Sequence, residues 1–458
     1  MASMDEVKAN SELIQPDNNC QGAGDAKIPG KTSSKEQRKC GDQKSDQSVA
    51  ATNFANPDYH CNDDGFFTFS STEQKRIEEF VSECWDSFVR VMEDDPTAVP
   101  LLHRDEHLVY LRKGLLNLNQ GYQALDSSRP WHCFWILHSL ELLGHPIPDK
   151  VKGSVVRFLA KCRDSSGGYG GGPGQMAHLA TTYAAVMSLC IVGSDEAFES
   201  LDRLGILAFL KTLKQPDGSF IMHLDGEVDI RGAYCAAAVA TILRLPTERL
   251  FDKTPEWVSS CQSYEGGFGA EPGAEAHGGY SFCGLATLAL LGHESLCHLE
   301  SLARWLSYKQ MRFEGGFQGR TNKLVDGCYS YWQGAVWSII SMILHKQGER
   351  AGALISKYPF DFDALQKYIL ICCQHPNGGL LDKPGKNRDF YHTCYCLSGL
   401  AIAQQSSDSE VTVTGDKQNL LQVNHPLFNV TFETEVKVLR RFMKEKLSEC
   451  ESESTESK

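Results

Sequence analysis

The sequence has few basic residues for its acidic content and no long apolar run. Its 45 lysines and arginines against 58 aspartates and glutamates give a formal net charge of −13. Nucleic-acid-binding proteins usually carry a basic patch, so this charge argues against that class. No stretch reaches the roughly 20 apolar residues that a membrane span needs, and the amino terminus has no signal-peptide core. We therefore expect a cytoplasmic protein without a membrane span, in which local basic residues hold any anionic ligand.

The 17 cysteines do not form the framework of a small secreted protein. They are scattered through segments with helical spacing, so we expect most of them to be reduced and buried. Residues 1–60 are polar with few large apolar side chains, and 446–458 are acidic and rich in serine, which predicts two disordered tails. We interpret residues 405–420 as a polar surface insertion. The folded domain is then expected to span residues 65–445.

An internal repeat is the strongest signal between the tails. Each unit has a turn built on two small residues, followed by an apolar segment with helical spacing. Successive turns are about 50 residues apart, with one step of about 60, which is long enough for two helices per unit. The turns begin at Gly167, Gly218, Gly266, Gly315 and Gly378. A degenerate earlier copy is expected to hold Trp131 to Leu143.

A polar residue stands ten positions after the second small residue of every turn. These residues are His178, Asp229, His277, Asp326 and Asp389. Each begins an apolar helical segment, which places it at or near a helix amino terminus. We predict an all-α fold in which these units close into an alpha-alpha barrel, with the amino termini of all inner helices at one rim. Unpaired amides and helix dipoles at that rim favour an anionic ligand.

Asp326, Cys328 and His392 combine three metal-binding side chains on this pattern. Asp326 and Cys328 are two positions apart, and they can face one point at a helix start if Asp326 is in the cap and Cys328 in the first turn. His392 lies three residues beyond Asp389, in the first turn of the next inner helix, so the barrel brings it to the same rim. Carboxylate, thiolate and imidazole with one open position are typical of a catalytic zinc site.

Two segments around these residues carry a family resemblance. Residues 323–332 read KLVDGCYSYW, and residues 388–400 read RDFYHTCYCLSGL. Both closely resemble the beta subunits of protein farnesyltransferases, in the protein prenyltransferase family, and the resemblance extends over roughly residues 70–445. It implies an alpha-alpha barrel that pairs with a helical-repeat alpha subunit. It also implies transfer of farnesyl from farnesyl diphosphate to the cysteine thiol of a carboxyl-terminal Cys-aliphatic-aliphatic-X (CaaX) motif.

The resemblance also implies roles for individual residues. It matches Asp326, Cys328 and His392 to zinc ligands and Asp382 to a position for magnesium. The catalytic donors that hold the isoprenoid diphosphate are matched by His277, Arg320, Lys323 and Tyr329. The remaining residues of the farnesyl diphosphate pocket are matched by Arg231, Tyr234, Tyr280, Cys283 and Trp332. The lining of the peptide and lipid pocket is matched by Trp131, Trp135, His178, Glu227, Tyr391 and Tyr395.

The chemistry of these residues is consistent with prenyl transfer. A free thiol has a pKa near about 8.5 and is mostly protonated at neutral pH, whereas a coordinated thiol is deprotonated, so a zinc-bound thiolate would be the nucleophile. The departing diphosphate gains negative charge as the carbon–oxygen bond breaks. The side chains of His277, Arg320, Lys323 and Tyr329 are donors suited to that charge.

Three alternatives stay open on the sequence. A geranylgeranyltransferase beta subunit would share the zinc chemistry and take a longer lipid, although the bulky Trp131 and Tyr395 favour the shorter one. A terpene cyclase of related toroidal shape needs an acidic cluster, and the adjacent aspartates Asp94 and Asp95 lie outside the repeat pattern. An open helical scaffold that only binds partners leaves the matched zinc positions unexplained.

Overall fold

The computed structural model of the chain is mainly helical, with little strand. It describes residues 57–443 except 119, 248, 349–353, 355–356, 359 and 406–410, so the predicted tails, apart from residues 57–60, lie outside the described residues. The α-helices are α1 Phe69–Asp94, α2 Arg104–Leu116, α3 Arg129–Leu142, α4 Asp149–Cys162, α5 Leu179–Val192, α6 Asp195–Ser200, α7 Arg203–Leu213, α8 Ile230–Ile242, α9 Thr254–Ser260, α10 Gly278–Leu291, α11 Leu299–Ser307, α12 Tyr329–Lys346, α13 Phe362–Lys367, α14 Phe390–Gln404 and α15 Phe432–Met443.

The other elements are short. A π-helical turn, Tyr368–Cys372, continues α13. Single 3-10 turns span Pro57–Tyr59, Glu294–Leu296 and Lys417–Asn419, and a longer 3-10 segment covers Gln120–Ser128. The strands form antiparallel hairpins, β1 Leu380–Leu381 with β2 Arg388–Asp389 and β3 Asn424–His425 with β4 Val430–Thr431. Among the described residues no helix is both long enough and apolar enough to cross a bilayer.

Six helices form a closed inner ring. They are α3, α5, α8, α10, α12 and α14; each packs on the next, and α14 packs back on α3. Every residue of α5 is buried, whereas an outer helix such as α11 is amphipathic and buries only one face. A helix that is apolar all round must be covered on every side, which the outer helices and the neighbouring inner helices achieve. The predicted alpha-alpha barrel is confirmed, with α3 as its degenerate first copy, and an open solenoid is excluded.

In the described part of the chain a repeated backbone hydrogen bond joins five of the six inner helices, α3, α5, α8, α10 and α12, to the turn of the next unit. Its donor is the amide that follows the cap residue, or that follows Asp326 in the case of α12. Its acceptor is the carbonyl three residues after the second small residue of the next turn. The bonds are 2.7–2.9 Å long and join Arg129 to Gly171, Leu179 to Met222, Ile230 to Ala270, Gly278 to Gly319 and Gly327 to Asp382. We call them rim latches. Because each satisfies an amide that a helix amino terminus leaves unpaired, they stabilise the rim without any side chain.

Four of the five polar residues predicted at helix starts are N-caps, namely His178, Asp229, His277 and Asp389. Asp326 differs. Its carboxylate accepts the Cys328 amide (2.9 Å), but α12 begins at Tyr329 with Cys328 as the cap residue. The helix starts late because residues 326–331 form a tight turn in which amides bond to carbonyls three residues back. The prediction that Asp326 is the cap and Cys328 lies in the first turn is therefore wrong, because the cap is Cys328, two residues further along the chain.

The segment after α14 packs against the inner ring, beginning at the carboxyl-terminal end of α3, where the Gln422 amide donates to the Leu142 carbonyl (2.9 Å). Inner-helix tyrosines donate to three successive carbonyls within it. These bonds run from Tyr331 to Pro426 (3.0 Å), from Tyr234 to Leu427 (2.9 Å) and from Tyr183 to Phe428 (2.8 Å). Because these tyrosines lie in the first two turns of their helices, the segment extends inside the ring to the amino-terminal halves of α5, α8 and α12.

The predicted surface insertion is partly buried where the structure describes it. Residues 406–410 lie outside the described residues, but Thr414 and Asn419 are buried. The Asn419 side chain accepts the Leu102 amide and donates to the Pro100 carbonyl, both at 2.8 Å. Polar side chains can be buried when they satisfy neighbouring backbone groups, so the surface interpretation does not hold for these two residues. The described cysteines form no disulfides with one another and most are buried, as predicted.

Candidate active site

Asp326, Cys328 and His392 meet at the rim between α12 and α14. Their ligand atoms all lie within 4.8 Å of one another, and all three residues are buried. Asp326 and Cys328 approach through the tight turn before α12, and His392 comes from the first turn of α14. The structure thus brings together the three residues that the sequence predicted as metal ligands. We call them the triad.

His392 has the environment of a metal-binding imidazole. Its Nδ1 lies 2.6 Å from Oδ2 of Asp389, which places a proton on Nδ1 and leaves Nε2 as the ligand atom. Among the described residues that buried Nε2 has no hydrogen-bond partner, and Oδ1 of Asp326 lies 3.4 Å from it. Burial lowers the pKa of His392, but the carboxylates of Asp389 and Asp326 outweigh it and hold this pKa well above its usual value. The pocket therefore favours a cation at Nε2, and the donor set fits zinc.

Replacing Asp389 with asparagine should weaken metal binding about 10- to 100-fold, because the amide holds the imidazole less strongly than the carboxylate does. Asparagine is still a good N-cap and can accept the His392 amide, now 2.7 Å from Asp389 Oδ1, so α14 should keep its stability. Chelator competition would measure the zinc affinity. Asp202→Asn is the control, since it changes the cap of α7 in the same way. Equal zinc affinity in Asp389→Asn and the unmodified protein would contradict this role for Asp389.

The last rim latch begins at Gly327, which lies between the triad residues Asp326 and Cys328. A Cβ at this position would lie 2.5 Å from Sγ of Cys396, so no larger side chain fits without a shift. The Gly327 amide donates to the Asp382 carbonyl (2.7 Å), and the Tyr368 hydroxyl donates to the same oxygen (3.1 Å). Asp382, the predicted magnesium position, therefore lies beside the triad. Its carboxylate forms an ion pair with Lys383.

His277 and Tyr329 form a hydrogen-bonded pair next to the triad. Tyr329 follows Cys328 in the chain, and its hydroxyl oxygen lies 2.9 Å from Nε2 of His277. Nδ1 of His277 accepts the Gly279 amide (3.1 Å), so a neutral His277 carries its proton on Nε2 and donates it to the tyrosine oxygen. The hydroxyl proton of Tyr329 is then directed to a different acceptor.

Arg320 and Lys323 lie on the turn before α12. The rim latch from Gly278 to Gly319 (2.8 Å) joins this turn to the amino terminus of α10, the helix that His277 caps. Arg320 is partly exposed and forms an ion pair with Glu275, and Lys323 is exposed. The four predicted diphosphate donors therefore share one sector of the rim with the triad.

Aromatic side chains form an unbroken circle that passes through all six inner helices. Neighbouring ring centroids lie 4.4–5.7 Å apart in the order Trp131, Trp135, Tyr391, Tyr395, Trp332, Phe282, Tyr234, Tyr183 and back to Trp131. We call this circle the aromatic collar. Six of its members are predicted pocket residues. Tyr183 and Phe282 were missed, because an aromatic residue on a helix that is apolar all round gives no sign of the face it occupies.

The remaining predicted site residues lie around the rim and the collar. The ring of Tyr280 is 5.0 Å from that of His277, and Cys283 is buried in α10. Arg231 is held by its own cap residue, with Nε 2.9 Å from Oδ1 of Asp229. These contacts fix the Arg231 guanidinium beside the amino terminus of α8.

His178 and Glu227 have different surroundings. Nδ1 of His178 accepts the Ala180 amide (3.1 Å), and its buried Nε2 has no hydrogen-bond partner in the part of the chain that the structure describes. Burial lowers the pKa of His178 to about 3, so the imidazole is neutral at neutral pH with its proton on Nε2. Glu227 lies on an exposed turn, where its carboxylate is 3.6 Å from Nε2 of His223. Its ion-pair partner, His223, is thus outside the predicted site set.

Comparison with known proteins agrees with this architecture. The family model of the prenyltransferase alpha-alpha toroid domain matches residues 102–430. A solved structure, Candida albicans protein geranylgeranyltransferase-I complexed with GGPP, has a TM-score of 0.61 and 20% identity, covering 74% of this chain and 99% of that one. At this identity the match shows a shared fold.

Two sequence relatives from Arabidopsis thaliana distinguish between the subfamilies. The protein farnesyltransferase subunit beta is 37% identical over 435 residues, covering 82% of this chain and 90% of the relative. The geranylgeranyl transferase type-1 subunit beta is 32% identical over 339 residues, covering 66% and 85%. The chain therefore belongs to the prenyltransferase alpha-alpha toroid family and, within it, to the protein farnesyltransferase beta subunits.

Proposed function

We propose that the chain is the catalytic beta subunit of a zinc-dependent protein farnesyltransferase and works in the cytoplasm as a heterodimer with a helical alpha subunit. Its reaction transfers farnesyl from farnesyl diphosphate to the cysteine thiol of a CaaX sequence. The observation that carries the proposal is the buried triad, on the same rim as the pair of His277 and Tyr329. The greater identity to a farnesyltransferase beta subunit than to a geranylgeranyl transferase beta subunit supports farnesyl as the lipid.

The triad is built to hold zinc. A zinc ion bound there supplies a Lewis acid that keeps the substrate thiol deprotonated at neutral pH. Asp389 fixes the orientation of His392, and burial of all three side chains limits competition from water. A magnesium ion at Asp382 would have to displace the Lys383 ammonium, which already places a positive charge beside that carboxylate.

The rim donors act on the leaving group. As the carbon–oxygen bond breaks, negative charge grows on the bridging oxygen and the diphosphate. Because His277 donates from Nε2 to the Tyr329 oxygen, the Tyr329 proton can be offered to that charge, and Arg320 and Lys323 add fixed positive charge. Removing one such donor from an oxyanion site costs about 3 kcal/mol of transition-state stabilisation.

The aromatic collar supports the choice of the shorter lipid. Trp131→Thr should open the circle beside Trp135 and Tyr183, and shift the ratio of kcat/KM values for farnesyl and geranylgeranyl diphosphate at least about tenfold towards the longer lipid. Competing transfer from a mixture of both diphosphates would measure the ratio. Trp257→Phe, on the outer helix α9, is the control and should not change it. An unchanged ratio for Trp131→Thr would remove the main support for a farnesyl-specific pocket.

The direct test is to purify the chain with a candidate alpha subunit and measure its zinc content. Labelled farnesyl and geranylgeranyl diphosphate are then offered with a peptide ending in Cys-aliphatic-aliphatic-Ser. One zinc per heterodimer with farnesyl preferred would support the proposal. Zinc with the longer lipid preferred would instead indicate a geranylgeranyltransferase, and absence of zinc would contradict the metal assignment.

A further inference from the structure

Two cysteine side chains meet outside the inner ring, where α1 packs on the π-helical turn that continues α13. The thiols of Cys84 and Cys372 share a hydrogen bond. On α1, Cys84 follows Ile77 by seven positions and Val81 by three, which places it on the face that these two residues bury. Cys84 is nevertheless partly exposed, whereas Cys372 is buried. We call them the thiol pair.

The two thiols differ in how readily they ionise. The hydrogen bond from Cys372 lowers the pKa of Cys84, against the opposing effects of burial and of the Glu83 carboxylate. Burial holds the pKa of Cys372 well above its usual value, and the hydrogen bond to Cys84 and the Glu314 carboxylate raise it further. Cys84 is thus favoured as the thiolate, while Cys372 stays protonated and donates to it. Cysteines that react with peroxides combine the same features, a lowered pKa, partial exposure and a second thiol alongside.

Hydrogen bonds connect the π-helical turn to the triad. Tyr368, the first residue of the turn, donates its hydroxyl to the Asp382 carbonyl (3.1 Å). The same oxygen accepts the rim latch from Gly327 (2.7 Å), which lies between two triad residues. At the other end of the turn, the Cys373 carbonyl accepts the Leu381 amide (2.9 Å). The backbone that supports the triad is therefore bonded at both ends to the turn that carries one member of the thiol pair.

A covalent link between the thiols would displace this turn. A bond between two sulfurs is much shorter than a hydrogen bond between them, so its formation draws the π-helical turn and α1 together. Tyr368 must follow the turn, and it has no free space. Its ring is fully buried, and a Cβ at Gly316 would lie 2.6 Å from its Cδ1. Because a close-packed interior transmits strain, the shift reaches the Asp382 carbonyl and weakens the support of the triad.

From these contacts we propose that the thiol pair is a redox-modification site, at which a hydroperoxide joins Cys84 and Cys372 in a disulfide that weakens zinc binding at the triad. The Cys84 thiolate attacks the terminal peroxide oxygen, the oxygen–oxygen bond breaks, and the released oxyanion takes a proton from water. The Cys372 sulfur then attacks the sulfenic acid on Cys84. The sulfur–oxygen bond breaks, the disulfide forms, and the leaving hydroxide departs as water with the Cys372 proton.

Two electrons pass from the sulfurs to the peroxide, and a reducing thiol reverses the change by thiol–disulfide exchange. In the proposed cytoplasmic setting, disulfides are typically transient and redox-sensing. The effect on zinc and transfer rests on the proposed function, whereas formation of the disulfide does not.

The test oxidises the zinc-loaded heterodimer with hydrogen peroxide and measures the disulfide and the metal separately. Mass spectrometry of unreduced peptides should find Cys84 joined to Cys372 with the loss of two hydrogens. Chelator competition should show zinc affinity at least about tenfold lower in the oxidised enzyme, the scale expected when the support of metal ligands is disturbed. Farnesyl transfer should fall in parallel, and dithiothreitol should restore both.

Three variants separate the roles of the thiols. Cys84→Ser should keep the zinc affinity and transfer rate of the reduced enzyme and keep both after peroxide treatment. In Cys372→Ala the sulfenic acid on Cys84 cannot form the disulfide, so dimedone should trap it. Cys61→Ser is the matched control, because Cys61 is also partly exposed but burial raises the pKa of its thiol. It should respond to peroxide as the unmodified enzyme does.

The proposal is overturned if no disulfide between Cys84 and Cys372 forms, or if the enzyme that carries it binds zinc as tightly as the reduced enzyme. It is also overturned if Cys84→Ser loses zinc as readily as the unmodified enzyme, since peroxide would then act on Cys328 directly. Failure of the proposed function looks different, because the reduced heterodimer would then transfer no farnesyl while the disulfide could still be detected.

Discussion

Cys328→Ser should lose stoichiometric zinc and transfer farnesyl at least about 30-fold more slowly at pH 7, because a thiol of pKa near 8.5 without a metal is only about 3% thiolate. The same reasoning predicts a changed pH dependence. The rate of the variant should rise about tenfold per pH unit up to about pH 8.5, as the peptide thiol ionises without assistance. Single-turnover transfer by the heterodimer, together with its zinc content, would measure both effects.

The matched control is Cys394→Ala. Cys394 lies on the same helix as His392 and is buried, and burial raises the pKa of its thiol, but it is not part of the triad. This variant should keep its zinc and its pH profile. If Cys328→Ser also kept full zinc and transfer, the assignment of the triad as the metal site would be wrong.

His277→Asn should slow the chemical step on the order of 100-fold, because it removes the Nε2–H that directs the Tyr329 hydroxyl proton towards the leaving diphosphate. The substitution separates two roles of this residue. Asparagine can still accept the Gly279 amide that His277 Nδ1 accepts at 3.1 Å, so the cap of α10 is kept. It cannot reach the Tyr329 hydroxyl as Nε2 does at 2.9 Å. The thermal midpoint should therefore change little while the single-turnover rate falls.

A double-mutant cycle with Tyr329→Phe tests whether the pair acts as one unit. If His277 works through the Tyr329 hydroxyl, the double variant should be little slower than the slower single variant. Losses that multiply in full would show that the two side chains act on the diphosphate independently. Farnesyl diphosphate affinity, measured in parallel, separates loss of binding from loss of rate.

The sequence was sufficient for the fold and the triad because both depend on spacing. The ten-residue offset between turn and polar residue predicted where the inner helices begin, and His392 followed from its position three residues after Asp389. That offset also explains one error at the site: Asp326 occupies the cap position of the repeat, but the tight turn after it delays α12. A local turn of this kind has no side-chain pattern that would reveal it.

Other features could not be read from residue types. Asp389 was expected only as a helix start, and its bond to His392 Nδ1 depends on a rotamer. The rim latches end on backbone carbonyls, which every residue possesses, so composition cannot identify them. Gly327 showed no sign of the close approach of Cys396 that excludes a larger side chain. Each of these depends on chain segments that meet only in the folded ring.

The rim latches also explain which lengths in this chain can vary. In each latched unit, a backbone carbonyl just after the turn accepts a hydrogen bond from the amino terminus of the preceding inner helix. The polar residue ten positions after the second small residue marks the start of the inner helix of the same unit. One added residue between these two points would pull the carbonyl or the cap out of register, and near Asp382 it would displace the triad turn. Beyond the cap no such constraint applies, and the longest spacing between turns, about 60 residues, is the one that contains α12, the longest inner helix. We therefore expect insertions and deletions to be tolerated between the inner helix of one unit and the outer helix of the next. Within the hairpin of β1 and β2, which carries Asp382, we expect them to abolish metal binding.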